Sequence, residues 1–198
     1  RRLAGTVSPV SGDRLVSVPF ADHCEPLFED AGELQTVLEF ALAQERDSSK
    51  YVEIRPLPSQ RSELEAQTRW QAGRTFRLHL LDLKPSLEDL LRSFDKNSVQ
   101  RRLRRVAREE LVYEEGSSLA LLKKFYYLQI LTRRRHKLPP QPLSWFRNLL
   151  EFLAPHAKVR VLSKGDLPIA SILTLSYNGV VIYKYGCSDA RYNNIAGT

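Results

Sequence analysis

The sequence predicts a mixed α/β fold of two tandem lobes, over residues 1–85 and 86–198. Three observations lead there. The middle of the chain carries apolar residues at helical spacing, and three alternating or β-branched runs follow near its end. The first part reads strand, helix, strand, strand. The composition, 42% hydrophobic and 27% charged over 198 residues, supplies enough apolar mass for a packed core.

In the first lobe, Arg14 to Phe20 begins as a short strand and breaks at Pro19. Asp22 to Pro26 has loop composition. From Glu33 to Gln44, the positions Leu34, Val37, Leu38, Ala41 and Leu42 repeat at three-and-four spacing, the signature of a helix with one buried face. Tyr51 to Arg55 alternates and is bounded by Pro56 and Pro58, so it reads as a strand, and Thr75 to Leu83 alternates in the same way. Residues 59–73 are polar and read as a loop. Pro56–Arg74 and Asp95–Ser98 are the plausible boundaries between lobes.

In the second lobe, Ser86 with Asp89 three residues on has the form of a capping box. Leu87, Leu90, Leu91 and Phe94 line one face after it, and Val99, Leu103, Val106 and Ala107 form the stripe of a second helix. A third helix runs from about Ser118 to Arg135, with Leu121, Leu122, Phe125, Leu128 and Leu131 inward. Its terminal arginines suit the negative end of the helix dipole. Pro139, Pro140 and Pro142 stop it, and Ser144 opens a short helix to Leu153. The end is a meander of three antiparallel strands, Lys158–Leu162, Ile169–Leu175 and Val180–Tyr185, separated by Gly165-Asp166 and by the hairpin-turn pair Asn178-Gly179. Along the last strand Tyr183 and Tyr185 should share a face.

Charge is segregated. Residues 1–95 hold 12 Lys/Arg against 16 Asp/Glu, whereas residues 96–137 hold 12 against 4. Arg101, Arg102, Arg104, Arg105 and Arg108 dominate this basic block. Arginine forks match phosphate oxygens, so the helix reads as a surface for tRNA backbone or anionic lipid. The alternative is a solvated face offset by Glu109, Glu110, Glu114 and Glu115. No aromatic side chain interleaves with it, which removes base stacking. Arg133, Arg134, Arg135 and His136 form a second basic cluster, either a capped helix end or the mouth of a site.

No run approaches the roughly eighteen apolar residues of a membrane span. With only Cys24 and Cys187 there is no disulfide scaffold, and a reducing, cytoplasmic setting is expected. No pair of Cys or His residues has ligand spacing, so no metal is expected. Cys24 beside His23 is not a catalytic pair, because neighbours on an extended chain point apart. The chain lacks methionine, starts at Arg1-Arg2 and stops at Gly197-Thr198 after a strand-like run, which reads as an internal fragment, incomplete at both ends.

Three pieces in order, Lys96 to Arg105 (KNSVQRRLRR), Phe125 to His136 (FYYLQILTRRRH) with Trp145 and Phe146, and Leu167 to Leu173 (LPIASIL) with Tyr183 to Asp189 (YKYGCSD), resemble the Fem-like, FemAB-related acetyltransferase family of the GNAT superfamily. Residues 14–83 resemble the preceding half-domain of the same group. The resemblance implies a GNAT-like fold of two lobes and transfer of an acyl or aminoacyl group, from acyl-CoA or aminoacyl-tRNA, to an amine of a cell-envelope or exopolysaccharide precursor. It implies a setting in the cytoplasm or at the inner membrane's periphery. It also puts the donor's pyrophosphate loop at about Ala190–Thr198, where the sequence ends, so most of that site is expected to be missing and the fragment inactive.

Acyl transfer to an amine needs a base for the ammonium and donors for the oxyanion. Asp189 is the carboxylate in position to be the base, Tyr185 and Tyr192 border the expected cleft, and backbone N–H groups where the last strand ends supply the donors. Arg101, Arg102, Arg104, Arg105, Arg133, Arg134 and His136 are the candidate substrate-binding residues. The rival reading is a catalytically silent module of the same fold that holds a polyanion. An unpaired edge on the strand at 180–186 further predicts self-association.

Overall fold

The computed structural model describes residues 4–6, 14–17, 21–45, 51–57, 64 and 69–196. Pro19, Phe20 and most of the polar stretch 59–73 lie outside the described residues. The chain divides into two compact units, Arg1–His79 and Leu80–Thr198, where the sequence suggested a division after residue 85.

In the first unit β1 (Ala4–Thr6) pairs antiparallel with β2 (Arg14–Val16), and β2 pairs parallel with β3 (Val52–Glu53). A parallel return needs a crossover, and α1 (Ala31–Glu45) lies between β2 and β3. The start of α1 is fixed reciprocally: the Asp30 carboxylate accepts the Glu33 N–H at 2.9 Å, and the Glu33 carboxylate accepts the Glu29 N–H at 3.0 Å. Leu34 and Leu38, one turn apart, are buried together with Leu64, and Phe28, Ile54 and Trp70 pack half-buried against them.

The second unit opens with α2 (Leu87–Ser93), whose N-cap is Ser86: its hydroxyl accepts the Asp89 N–H at 3.1 Å. A turn of π-helix, Lys96–Gln100, leads into α3 (Arg101–Val106). The π geometry follows from Asp95, whose carboxylate accepts the Asn97 and Ser98 N–H groups while its carbonyl takes Gln100 N–H at 3.1 Å. The chain then forms β4 (Leu111–Gly116), α4 (Leu119–Arg135), α5 (Leu143–Phe152), β5 (Ala157–Lys164), β6 (Leu167–Tyr177) and β7 (Val180–Ser188). A 3₁₀ turn, Ala190–Tyr192, and the short α6 (Asn193–Ala196) follow. The sheet is antiparallel throughout, in the order β4-β5-β6-β7.

Its core lies on one face. Val159, Val161, Leu173 and Cys187 from the strands meet Leu122, Phe125 and Leu128 of α4 and Phe146 of α5. Phe125 and Phe146 meet edge to face, with centroids 5.1 Å apart. The β6–β7 hairpin turns at Asn178 (φ 45°) and Gly179 (φ 75°), both left-handed, the pair such a turn demands.

Several expectations need correction. Thr75–Leu83 is not a strand: its residues have no regular structure, and Phe76 is 83% exposed. Alternation supplies a face but not a neighbouring strand to pair with. The apolar stripes of α2 and α3 bury no residue. Asp95–Ser98 is a tight helical connection within the second unit and not a lobe boundary. The helix expected to open at Ser144 begins at Leu143, with Pro142 at its cap. The strand β4, rich in glutamate, had no counterpart in the sequence reading.

Candidate functional site

The C-terminal end of β7 is where the second unit concentrates polar contacts around buried backbone. Ser188 is fully buried. Thr132 of α4 clasps it: the Thr132 hydroxyl donates to the Ser188 carbonyl at 3.3 Å and accepts the Ser188 N–H at 3.0 Å. The Arg135 guanidinium reaches the same carbonyl at 3.4 Å. Asp189 N–H continues the ladder to the Ile169 carbonyl at 2.9 Å. Two of the backbone donors expected to be free at the end of this strand are therefore taken.

The ladder's alternation identifies the one that remains. Asp189 bonds inward to β6 and Ser188 points outward to Thr132; the same alternation turns the Gly186 N–H outward, along the edge away from β6. Two residues up the strand the register shifts. Leu173 opposes Tyr185 but Thr174 opposes Tyr183, so Lys184 is an extra, bulged residue. The bulge places Tyr183 and Tyr185 on opposite faces, where simple alternation had put them together.

Tyr185 stays on the core face, edge-on to Phe125 and Phe146 with its centroid 5.2 Å from the latter, and its hydroxyl receives the Trp145 indole N–H at 3.3 Å. Tyr183 folds across Gly186 on the other face. A Cβ at Gly186 would lie 1.5 Å from the Tyr183 hydroxyl oxygen, so only glycine admits this phenol against the strand. Partial burial, and secondarily the Cys187 sulfur, push the Tyr183 phenol above its ordinary pKa. Gly186 and Thr132 were not singled out from the sequence, and Tyr183 was placed on a face with Tyr185 but given no role of its own. The signal available there was a glycine inside a strand run, which marks close approach or a bulge.

Asp189 is 4% exposed and bound by its neighbour. Its carboxylate accepts the Arg191 backbone N–H at 3.0 Å and both sides of the Arg191 guanidinium, at 3.0 and 2.6 Å, and it caps the 3₁₀ turn. The Arg191 hydrogen bonds, outweighing burial, hold its pKa below the ordinary carboxylate value. Such a group is a poor proton acceptor, so the geometry makes Asp189 a clamp on the strand end and opposes its assignment as the base. Tyr192 sits in the same turn, with the Arg191 guanidinium 6.0 Å from its ring.

The basic residues separate into two groups. Arg135 reaches the strand end, although Arg133, Arg134 and His136 were the expected binders. Arg133 is turned to the Pro139 carbonyl at 2.9 Å, His136 caps α4, and Arg134 and His136 are exposed. On α3, Arg105 donates to the Asn194 carbonyl at 2.8 Å and so ties that helix to α6, while Arg101, Arg102 and Arg104 stay exposed. A recess of about 340 Å³ opens between α4 and α5, lined by Leu119, Leu122, Arg147, Leu150 and Glu151. It lies toward the opposite end of α4 from Thr132. Cys24 and Cys187 are both free, and burial pushes the Cys187 thiol up to about 12. No His, Cys, Asp and Glu cluster among the described residues could hold a metal ion.

Residues 93–196 match the family model described as the acetyltransferase (GNAT) domain. The chain belongs to that family. The match spans α3 through α6 and therefore contains the whole β4–β7 sheet and the strand end described above. A crystal structure of FemX is similar in fold to this GNAT chain, with a TM-score of 0.59 and 12% identity, covering 96% of this chain and 67% of FemX. At that identity the likeness concerns the fold alone. No curated protein sequence matches the chain. No helix among the described residues is long and apolar enough to cross a membrane.

Proposed function

We propose that this GNAT domain transfers an acyl or aminoacyl group to an amine of a cell-envelope or polysaccharide precursor, with the reacting carbonyl held against the outer edge of β7. The observation that carries the reading is the Gly186 N–H. It points away from β6 beside a bulge, while the flanking donors of Ser188 and Asp189 are already used. An N–H fixed by the strand and turned to the outer edge of the sheet can bind a carbonyl oxygen that gains charge as the tetrahedral centre forms. Thr132, Arg135 and the Asp189–Arg191 pair hold the strand end still, which is what such a donor needs.

The amine nitrogen attacks the acyl carbon, and the donor's thiol or ribose oxygen leaves with the electrons of the broken bond. The ammonium loses one proton to solvent before the amine attacks, and the second proton shed by the nitrogen balances the one that the leaving atom gains. The Tyr183 phenol lies across Gly186 and, like any phenol, is protonated at neutral pH, so it can supply the proton that the leaving atom gains. Asp189 does not serve as the base in this scheme. The donor is acyl-CoA or aminoacyl-tRNA. Its phosphates would lie toward the Ala190–Tyr192 turn and α6, where Tyr192 and Arg191 stand.

The test is equilibrium binding of acetyl-CoA and of aminoacyl-tRNA to the full chain, with mass spectrometry of amine acceptors after mixing. Saturable binding of one donor, weakened by Thr132→Val, supports the reading; binding of neither contradicts it. A second reading, a catalytically silent module that holds a polyanion, is favoured by the exposed arginines of α3 and would give polyanion binding with no donor binding.

A further inference from the structure

The arginines of α3 are not compensated by the acidic residues that follow them. Between Lys96 and Arg108 there are six basic residues (Lys96, Arg101, Arg102, Arg104, Arg105, Arg108) and no acidic one. The glutamates just beyond them were the natural counter-charges. The structure gives them to other cations. Glu109 pairs with Lys164 at 2.8 Å, Glu114 pairs with Lys124, and Glu115 takes both Lys158 at 3.2 Å and Arg160 at 3.1 Å. Glu110 acts on the same Lys164 ammonium as Glu109. Arg101, Arg102, Arg104 and Arg108 make no ion pair among the described residues, and all four are exposed.

The same stretch exposes large apolar side chains. Leu87 is 86% exposed and Leu91 43%, one helical turn apart on α2. Val99 and Leu103 are likewise one turn apart and 38% and 46% exposed. Val99 and Leu103 lie among the unpaired arginines, while Leu87 and Leu91 stand on α2 beside Glu88, Asp89 and Arg92, whose charges answer one another; the stretch as a whole keeps an excess of positive charge next to exposed aliphatic side chains. They fit a boundary that is negative on its outside and oily within. A nucleic acid offers the negative charge but no continuous apolar phase for a row of aliphatic side chains, and the segment from Lys96 to Arg108 has no aromatic residue to stack on bases.

We infer that α2, the π turn and α3 form a docking surface for an anionic membrane, with Lys96, Arg101, Arg102, Arg104 and Arg108 on the headgroups and Leu87, Leu91, Val99 and Leu103 entering the interface. The surface does not depend on the acyltransfer reading. It would hold the domain at a bilayer without a spanning helix.

Co-sedimentation of the full chain tests this, using phosphatidylcholine vesicles with and without about one third phosphatidylglycerol. Binding is expected only to the anionic vesicles. The triple variant Arg101→Gln, Arg102→Gln, Arg104→Gln should bind them roughly a hundredfold more weakly, since each basic residue near such a surface contributes about fivefold. The pair Leu87→Ser, Leu91→Ser should lose several-fold in binding with its thermal midpoint unchanged, because these side chains are exposed. This pair carries the test if the arginine variant does not fold. Equal binding to neutral vesicles, no binding, or wild-type binding by the leucine pair would overturn the inference. So would complete displacement from vesicles by tRNA with the leucine pair behaving as wild type, which would make the surface a nucleic-acid site.

Discussion

At the scale of single residues, Asp189 shows how a side chain with catalytic chemistry can be used for architecture. A carboxylate at the end of a sheet strand in a transferase domain is an obvious base, but here a guanidinium two residues away occupies it. This has a pH consequence. Its folded pKa lies below the ordinary value of 3.8, so the ionised form stabilises the fold above that pH, and the contribution is lost as the pH falls through the lower folded value. Asp189→Asn should cost about 1–3 kcal/mol at neutral pH by loss of the charged hydrogen bonds, and progressively less below 3.8. Urea unfolding of both proteins at neutral and acid pH reads this directly, and equal stability at neutral pH would contradict it. Gly186 makes a second residue-level prediction. Gly186→Ala must displace the Tyr183 phenol, whose hydroxyl oxygen would lie 1.5 Å from the new Cβ. The Tyr183 phenol should then titrate closer to an ordinary tyrosine, seen as an ultraviolet difference titration against Tyr183→Phe. An unchanged titration would mean that the ring does not lie on Gly186.

At the scale of elements, α4 and β7 act as one part. Thr132→Val removes a hydroxyl that both donates to and accepts from Ser188, and should cost about 1–3 kcal/mol in thermal or urea unfolding while loosening the strand end. A variant as stable as wild type would show that the clasp carries no weight. What was legible in the sequence at this scale is what local chemistry sets. Ser118 caps α4 through the Leu121 N–H, the apolar positions of that helix are buried as spaced, and Asn178-Gly179 makes the hairpin. What was not legible depends on partners distant in sequence. Thr75–Leu83 alternates like a strand and finds no neighbour. Leu111–Gly116 carries Glu114 and Glu115 and becomes a strand because Lys124, Lys158 and Arg160 answer them. The bulge at Lys184 is a register choice between β6 and β7 that no pattern within β7 encodes, and with it went the relation of Tyr183 to Tyr185 and the identity of the free edge donor.

At the scale of the whole molecule, charge is segregated along the chain, and family membership and fold support acyl transfer. The most direct test follows backbone amide resonances of the isotopically labelled chain during titration with acetyl-CoA and, separately, with aminoacyl-tRNA. If the reacting carbonyl binds that N–H with the donor's phosphates beyond it, as proposed, the Gly186 amide, with Cys187 and the Ala190–Tyr192 turn, should shift saturably with one of these donors. If both titrations leave Gly186 unmoved, or move only the recess around Arg147 and Glu151, the edge of β7 is not where this domain holds its donor.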